Sequence, residues 1–270
     1  MVFAAPVSVR TLRLGLGPTV SEDGEDKKFD LQFEEDIGES IARHIWDAGV
    51  VTSAYLADAS DTIHNIFPIE NDTFNILELG SGVGILGITI AGILSRATTT
   101  PQGQALKNAR VLLTDLEEAE ERARSNNPPR PKLHSTLNRV DGTNVAIEYE
   151  NLDWGEGCKG RFGPLTAATT WDLVVLSDCT YNVDSLPALV GTLSALHAAK
   201  GHHCAAGDAP IKSSVLLATK PRHSSEEALF GLLKEHDWTY RVVKEIPLPK
   251  IGEEDEVVQI YLLEKSGRVT

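Results

Sequence analysis

Three alternating glycines interrupt the most apolar run of the sequence, and that interruption restricts the fold more than any other feature. Asn75–Leu94 reads NILELGSGVGILGITIAGIL. Phe74, Ile76, Leu77 and Leu79 are apolar and β-favouring, so the run begins as a strand. It breaks at Gly80, Gly82 and Gly84 and resumes as a helix of small and branched apolar residues. Glycine at alternate positions lets the backbone turn tightly and lets a ligand approach the main chain without meeting a Cβ. The N–H groups that open the following helix are expected to face that ligand. Strand, glycine turn and helix N-terminus together make a nucleotide-type site. A turn with no ligand is the plainer alternative, but alternating glycines would then weaken it for no gain.

The rest of the chain must supply a sheet for that strand. With 270 residues, 41% of them hydrophobic, there is enough for one α/β domain with elaborations. A net charge of −14 argues against a general nucleic-acid binder, because a polyanion is repelled, and it fits partners that carry lysine or arginine. Cys158, Cys179 and Cys204 show no paired spacing, which points to a reducing compartment, the cytoplasm or the nucleus. The opening MVFAAPVSVR is too short and too early-charged for a signal peptide. Leu79–Leu94 lacks charge, but it is broken by glycine and shorter than the ~20 residues a membrane span needs. Neither a membrane partner nor a transmembrane helix is expected.

Residues 7–14 alternate apolar and polar, as do Phe29, Leu31 and Phe33, so an N-terminal hairpin around the charged turn Ser21–Lys28 is expected. From Ile37 to Ala57 apolar residues recur near helical spacing. Within that stretch Trp46 reads as a core anchor and Asp47 as the cap of a second helical segment. Asp58–Thr73, Ser95–Lys107 and Asn127–Asp141 read as polar or irregular connections. Ala109–Thr114 is a strand ending at Asp115. An acid there accepts ribose hydroxyls in a βαβ unit, or caps the helix at Glu117–Asn126; the two roles are compatible. Val145–Tyr149 is a short strand followed by Asp153-Trp154, a pair suited to an adenine edge and ring or to a turn pinned by a packed tryptophan. Trp171–Leu176 is the most strand-like run and ends in Ser177-Asp178-Cys179-Thr180-Tyr181, where open α/β sheets place their sites. His202-His203-Cys204 lacks a second cluster, so no metal site is expected. Helices over 185–200 and 224–236, a strand at Val215–Thr219 and a final antiparallel pair over Trp238–Glu245 and Glu256–Glu264 complete the order.

Two patterns overlap on the glycines. Gly82-x-Gly84-x-x-Gly87 fits the dinucleotide fingerprint, weak evidence by itself. Glu78-x-Gly80-x-Gly82-x-Gly84 resembles motif I of the class I S-adenosylmethionine-dependent methyltransferases, and the acid inside the strand favours it. With Trp46-Asp47-Ala48, Thr114-Asp115-Leu116, Asp153-Trp154-Gly155-Glu156 and Ser177–Tyr181, the chain resembles the family 16 protein-lysine methyltransferases from about Phe33 to Lys265. These are relatives of enzymes that modify the valosin-containing ATPase, Hsp70 chaperones and elongation factors.

The resemblance implies an α/β fold: a seven-stranded Rossmann-like sheet with a C-terminal antiparallel strand pair and an N-terminal hairpin and helical extension. Residues 1–58 would form the extension packed on the core, and residues 59–270 the methyltransferase domain. It implies S-adenosyl-L-methionine as cofactor and a protein substrate presenting a lysine; whether the enzyme is a monomer stays open. Gly80, Ser81 and Gly82 would contact the methionine part, with Glu78 shaping the pocket and Gly84 and Ser177 contributing to it. Asp115 would hold the ribose, Asp153 and Trp154 flank the adenine, and Trp46 close over the cofactor. Asp178 and Tyr181 would form the Asp-x-x-Tyr element at the acceptor. The sequence departs from the family at the two long insertions and at the polar Thr180. A small-molecule, arginine or N-terminal amine acceptor, a nicotinamide-dependent oxidoreductase and a non-catalytic cofactor scaffold remain open alternatives.

Overall fold

A strand buried on both faces must send alternate side chains into two separate cores, and this rule organises the molecule. The computed structural model describes residues 7–14, 29–36, 40–58, 72–95, 106–126, 144–202, 211–221, 225–249 and 256–267. The chain begins with strands β1 (Val7–Leu14) and β2 (Phe29–Asp36), a 3-10 turn at Ile41–Arg43 and helix α1 (Asp47–Asp58). Next come β3 (Thr73–Leu79), α2 (Ile85–Leu94), β4 (Asn108–Asp115), α3 (Glu117–Asn126) and β5 (Asn144–Asn151). Short helices α4 (Trp154–Gly157) and α5 (Pro164–Ala168) lead to β6 (Leu173–Ser177), α6 (Leu186–His202) and β7 (Ile211–Thr219). Helix α7 (Ser225–Glu235) and strands β8 (Thr239–Pro247) and β9 (Val257–Gly267) follow.

Seven strands form one sheet in the order β5-β4-β3-β6-β7-β9-β8. The first five are parallel, and β9 runs antiparallel between β7 and β8. The chain moves one way from β3 through β4 to β5, then crosses over to β6 and β7. The strand order therefore reverses between β3 and β6, and the crevice beyond their carboxyl ends is where an open α/β sheet binds ligands.

Alternation sorts the core. Phe74, Ile76, Val111, Leu113, Leu173 and Val175 join the cluster that includes residues of α1 and α2. Leu77, Leu79, Leu112, Val174 and Leu176 join the opposite cluster, with Leu189, Leu193, Leu229 and Leu233 of α6 and α7. Helix α2 is buried along its whole length, which explains why its sequence is apolar all round rather than on one stripe.

The hairpin forms as expected, β1 pairing antiparallel with β2. Leu31 and Phe33 are buried, and the alternation continues into Glu35, which is buried too. Its carboxylate is matched: Oε1 lies 3.0 Å from Arg10 Nε, and Oε2 accepts the Ile45 N–H at 2.9 Å. Asp36 is also buried and pairs with Arg43 and Arg122.

Those bonds overturn two readings of the sequence. The helical spacing over 37–57 is realised only from Asp47, because the Glu35–Ile45 bond and the Trp46 Nε1–H bond to the Ile41 carbonyl (3.1 Å) hold residues 44–46 out of helix. Trp46 is no core anchor: it is 40% exposed. Asp47 is the first helical residue, where a carboxylate favours the helix dipole. The acidic turn 21–28, most of the connections 58–73, 95–107 and 127–141, and His203-Cys204 lie outside the described residues.

Asn126 ends α3 and docks the hairpin. Its Oδ1 accepts the Glu34 N–H at 2.8 Å, and its Nδ2 donates to the carbonyls of Glu34 and Val83, both at 3.0 Å. Asn126→Ala leaves those three backbone groups without their partner, and urea unfolding should show a loss of ~1–3 kcal/mol, as for one buried polar site left unsatisfied. An unchanged midpoint would mean that the hairpin is not held through Asn126.

Candidate active site

Four loops converge at the carboxyl ends of the parallel strands. The glycine turn follows β3, Asp115-Leu116 follows β4, Asp153-Trp154 follows β5, and Ser177–Tyr181 follows β6. They surround a cavity of about 400 Å3, within the range of small-molecule sites. The segment 40–46 covers it from one side, contributing Ile41, Ala42 and Trp46.

Tight backbone contacts explain two of the glycines. Gly80 has φ +62°, and a Cβ there would sit 2.6 Å from the Cys179 sulfur and 3.2 Å from the Trp154 ring. Gly82 has φ +52°, and its Cβ would come 3.1 Å from the Ala42 carbonyl oxygen. Both positions combine a left-handed backbone with a close neighbour, so only glycine fits without strain. Gly84 packs toward Ile88 and Leu113 rather than the cavity.

The turn is not the open ring of N–H donors that the sequence suggests. Ser81 N–H donates to Thr114 O at 2.9 Å, and Gly84 N–H to Ser81 O at 2.8 Å. Gly82 N–H donates to Asp115 Oδ2 at 2.7 Å, and Gly87 N–H to Glu78 Oε2 at 3.0 Å. A pyrophosphate, which needs such donors free, would meet a carboxylate instead.

Asp115 also accepts the Leu116 N–H on Oδ1 at 2.7 Å. One backbone bond on each oxygen leaves each a further lone pair, enough for two vicinal hydroxyls. Burial pushes its pKa up, while the two N–H groups pull it back. Asp153 caps α4, accepting the Gly155 N–H on Oδ1 at 2.7 Å. Trp154 is thereby set at the cavity wall beside Gly80, and its carbonyl is tied to Thr192 Oγ1 at 3.1 Å.

Asp178 leaves β6 in the left-handed region, φ 55°, with its N–H held by Ala218 O at 2.9 Å. This turn directs the segment after β6 toward the cavity. The Asp178 side chain is buried and faces the cavity, and Tyr181 beside it is 50% exposed. Burial, with Cys179, Asp115 and Glu118 adding to it, raises the Tyr181 pKa. Burial also raises the Cys179 thiol well above its ordinary value, so it is a neutral wall of the site.

Of the residues named from sequence, Trp46, Gly80, Gly82, Asp115, Asp153, Trp154, Ser177, Asp178 and Tyr181 line the cavity. Glu78, Ser81 and Gly84 stand behind it. Sequence reading missed Ile41, Leu116, Glu118 and Asp184 as wall residues. Leu116 had a usable signal, a leucine after a strand-ending acid at a helix start. Glu118 and Asp184 looked like ordinary acids of helix first turns. The lining includes five carboxylates, Asp115, Glu118, Asp153, Asp178 and Asp184, and no Lys, Arg or His among the described residues.

A sheet of this order with a cavity at its switch point is the arrangement expected of a class I S-adenosylmethionine-dependent methyltransferase. A family model described as lysine methyltransferase matches residues 25–236, and the chain belongs to that family. It is 31% identical to the UPF0665 family protein C23C4.06c of Schizosaccharomyces pombe over 87% of its own length, but spans only 56% of that relative. It is 26% identical to protein N-lysine methyltransferase METTL21A of Danio rerio, over 72% of this chain and 68% of that one. A methyltransferase structure from Methanosarcina mazei shares 13% identity, covering 77% of this chain and 98% of that one, with a TM-score of 0.45. The cofactor of this class, S-adenosyl-L-methionine, fits the residues present: spare acceptors on Asp115, an aromatic wall at Trp154, and, among the described residues, no cation in the lining to oppose a sulfonium.

Glu78 gives the site a pH signature. Fully buried between β3 and α2, its pKa rises from 4.5 to about 8, chiefly by desolvation; the Gly87 N–H opposes the rise and Asp115 adds to it. The folded chain therefore binds this proton more tightly than the unfolded chain. The stability gained is complete below pH 4.5 and is lost as pH rises through about 8. Glu78→Gln keeps an acceptor for Gly87 and removes the titration. Thermal melts from pH 5 to 9 should show the wild type losing on the order of 4 kcal/mol relative to Glu78→Gln. Parallel curves would contradict a protonated Glu78.

Proposed function

We propose that this chain is a protein-lysine methyltransferase that uses S-adenosyl-L-methionine and acts on a protein presenting a lysine to the mouth of the cavity. The observation that carries the reading is the anionic lining around Asp178 and Tyr181. Both molecules brought together would be cationic there, a sulfonium and an ammonium, and neither carries phosphate. A nicotinamide dinucleotide would place its pyrophosphate among carboxylates, so that reading is set aside.

When bound, the cofactor supplies a methyl group on a positively charged sulfur. The chain's own task is alignment, because in-line attack depends on holding the nucleophile close and correctly directed. A lysine amine with a pKa of ~10.4 arrives protonated. A carboxylate nearby raises that value and burial lowers it. Asp178 therefore orients the incoming ammonium as an acceptor rather than serving as its base; the amine gives its proton to solvent before its lone pair attacks the methyl carbon, and Tyr181 forms a wall of the entrance. Asp115 holds the ribose, and Asp153 and Trp154 flank the adenine. We read residues 1–58 as an extension whose 40–46 segment covers the cofactor, residues 59–270 as the catalytic domain, and the cytoplasm or nucleus as its place of work.

Incubation with tritiated S-adenosylmethionine and a cell lysate should label a discrete protein, and acid hydrolysis should return the label as methyl-lysine. Asp178→Ala should abolish that label. Label recovered as methyl-arginine or an N-terminal methyl amine, or undiminished in Asp178→Ala, would overturn the assignment.

A further inference from the structure

The carboxyl end of β7 lies beside the site, yet none of its side chains lines the cavity. Thr219 and Lys220 occupy it, and each reaches toward a different wall. Thr219 Oγ1 lies 2.7 Å from Thr180 Oγ1, both hydroxyls buried, so the end of β7 is fixed against the loop that carries Asp178 and Tyr181. Lys220 points the other way. Its side chain is only 11% exposed, with Nζ 2.7 Å from a Glu256 carboxylate oxygen and 3.3 Å from Asp47 Oδ2.

Asp47 is the chain neighbour of Trp46, the exposed indole on the cavity wall. The covering segment is thus held at two ends. On its upstream side, Arg43 Nε donates to the Glu118 carbonyl at 2.9 Å, and Ser40 Oγ lies 3.1 Å from Glu118 Oε1. On its downstream side, the Lys220 ammonium ties Asp47 to the sheet. Trp46 sits between, with its indole N–H bonded to Ile41 O.

Charge makes the downstream tie consequential. Burial alone would lower the Lys220 pKa, but Glu256 and Asp47 outweigh it and raise it, so the group is cationic across the neutral range. Replacing that cation by a neutral side chain leaves two carboxylates facing one position. Without the tie the start of α1 is free to shift away from β9, the two half-exposed carboxylates adding only a weak repulsion. Because Trp46 directly precedes α1, that displacement acts on the cover of the cavity rather than on the core beneath it.

We infer that Lys220 is a positioning residue, which sets cofactor affinity by holding Trp46 over the cavity through Asp47. The inference rests on the cofactor reading above and adds to it a residue that touches neither cofactor nor acceptor.

Calorimetric titration with S-adenosylhomocysteine tests it on the full chain. Lys220→Met should raise Kd roughly three- to tenfold, the range for losing a charge-assisted contact at a partly shielded site. Lys220→Arg, which keeps the cation, should bind within about twofold of wild type. Asp47→Asn breaks the same link from the exposed side and should reproduce the Lys220→Met loss in a folded protein. The decisive comparison is made in a Trp46→Ala background, which removes the covering ring and where Lys220→Met should cost no further affinity. Equal Kd values for wild type and Lys220→Met would overturn the inference alone. So would an undiminished Lys220→Met loss in the Trp46→Ala background, which would place its action elsewhere. Failure of the wild type to bind S-adenosylhomocysteine would overturn the cofactor reading, and this inference with it.

Discussion

One carboxylate fixes the geometry on which the rest of the site depends. Asp115 accepts the Gly82 N–H from the loop after β3 and the Leu116 N–H from its own loop after β4. Two adjacent strand ends are thereby locked in register, and the cavity between them acquires a floor. The same bond gives the floor a negative charge and occupies a donor that a phosphate-binding turn would leave free. An anion partly withdrawn from water needs hydrogen bonds to compensate it, and the two N–H groups supply them here. The surrounding loops then close on that floor: Trp154 against Gly80, Ala42 against Gly82, and the Asp178 turn against the end of β7.

Much of this was legible in the chain, for definite reasons. Strand runs such as Trp171–Leu176 and Asn75–Leu79 announce a doubly buried sheet because their alternate residues serve two cores. Gly80 and Gly82 were readable as ligand-side positions because turns of positive φ leave glycine as the only unstrained choice. What the glycines do was less legible. Gly82 yields space to the Ala42 carbonyl, which approaches from 40 residues upstream, and local sequence cannot show such an approach. Trp46 suits a core by its apolar surface, but the Glu35–Ile45 and Trp46–Ile41 bonds, made just after the hairpin, leave it at the cavity wall. Nothing near Glu118 and Asp184 in sequence reports the cavity they face.

The site departs from the rules that stabilise the core, and each departure has a counterpart nearby. Glu78 is a fully buried acid beside a second acid, held by the Gly87 N–H at 3.0 Å. Asp178 adopts a backbone that non-glycine residues rarely take. Ile41, Trp46, Leu116 and Tyr181 expose apolar surface around one mouth, and clustered exposure of that kind marks a binding site rather than chance. The counterparts are rigid: the buried helix α2 beneath Glu78, the Thr180–Thr219 hydroxyl pair beneath Asp178, and the Arg122–Asp36 and Asn126 contacts that seat the hairpin.

The central claim is that the carboxylate-lined cavity holds the methyl-donor cofactor. Ultraviolet crosslinking of radiolabelled S-adenosylmethionine, followed by peptide mapping, tests it most directly. The account predicts saturable label on peptides carrying Trp46, Gly80–Gly82 or Asp153-Trp154, competed by S-adenosylhomocysteine and not by NAD. Label that maps elsewhere, or that NAD competes away, would contradict it.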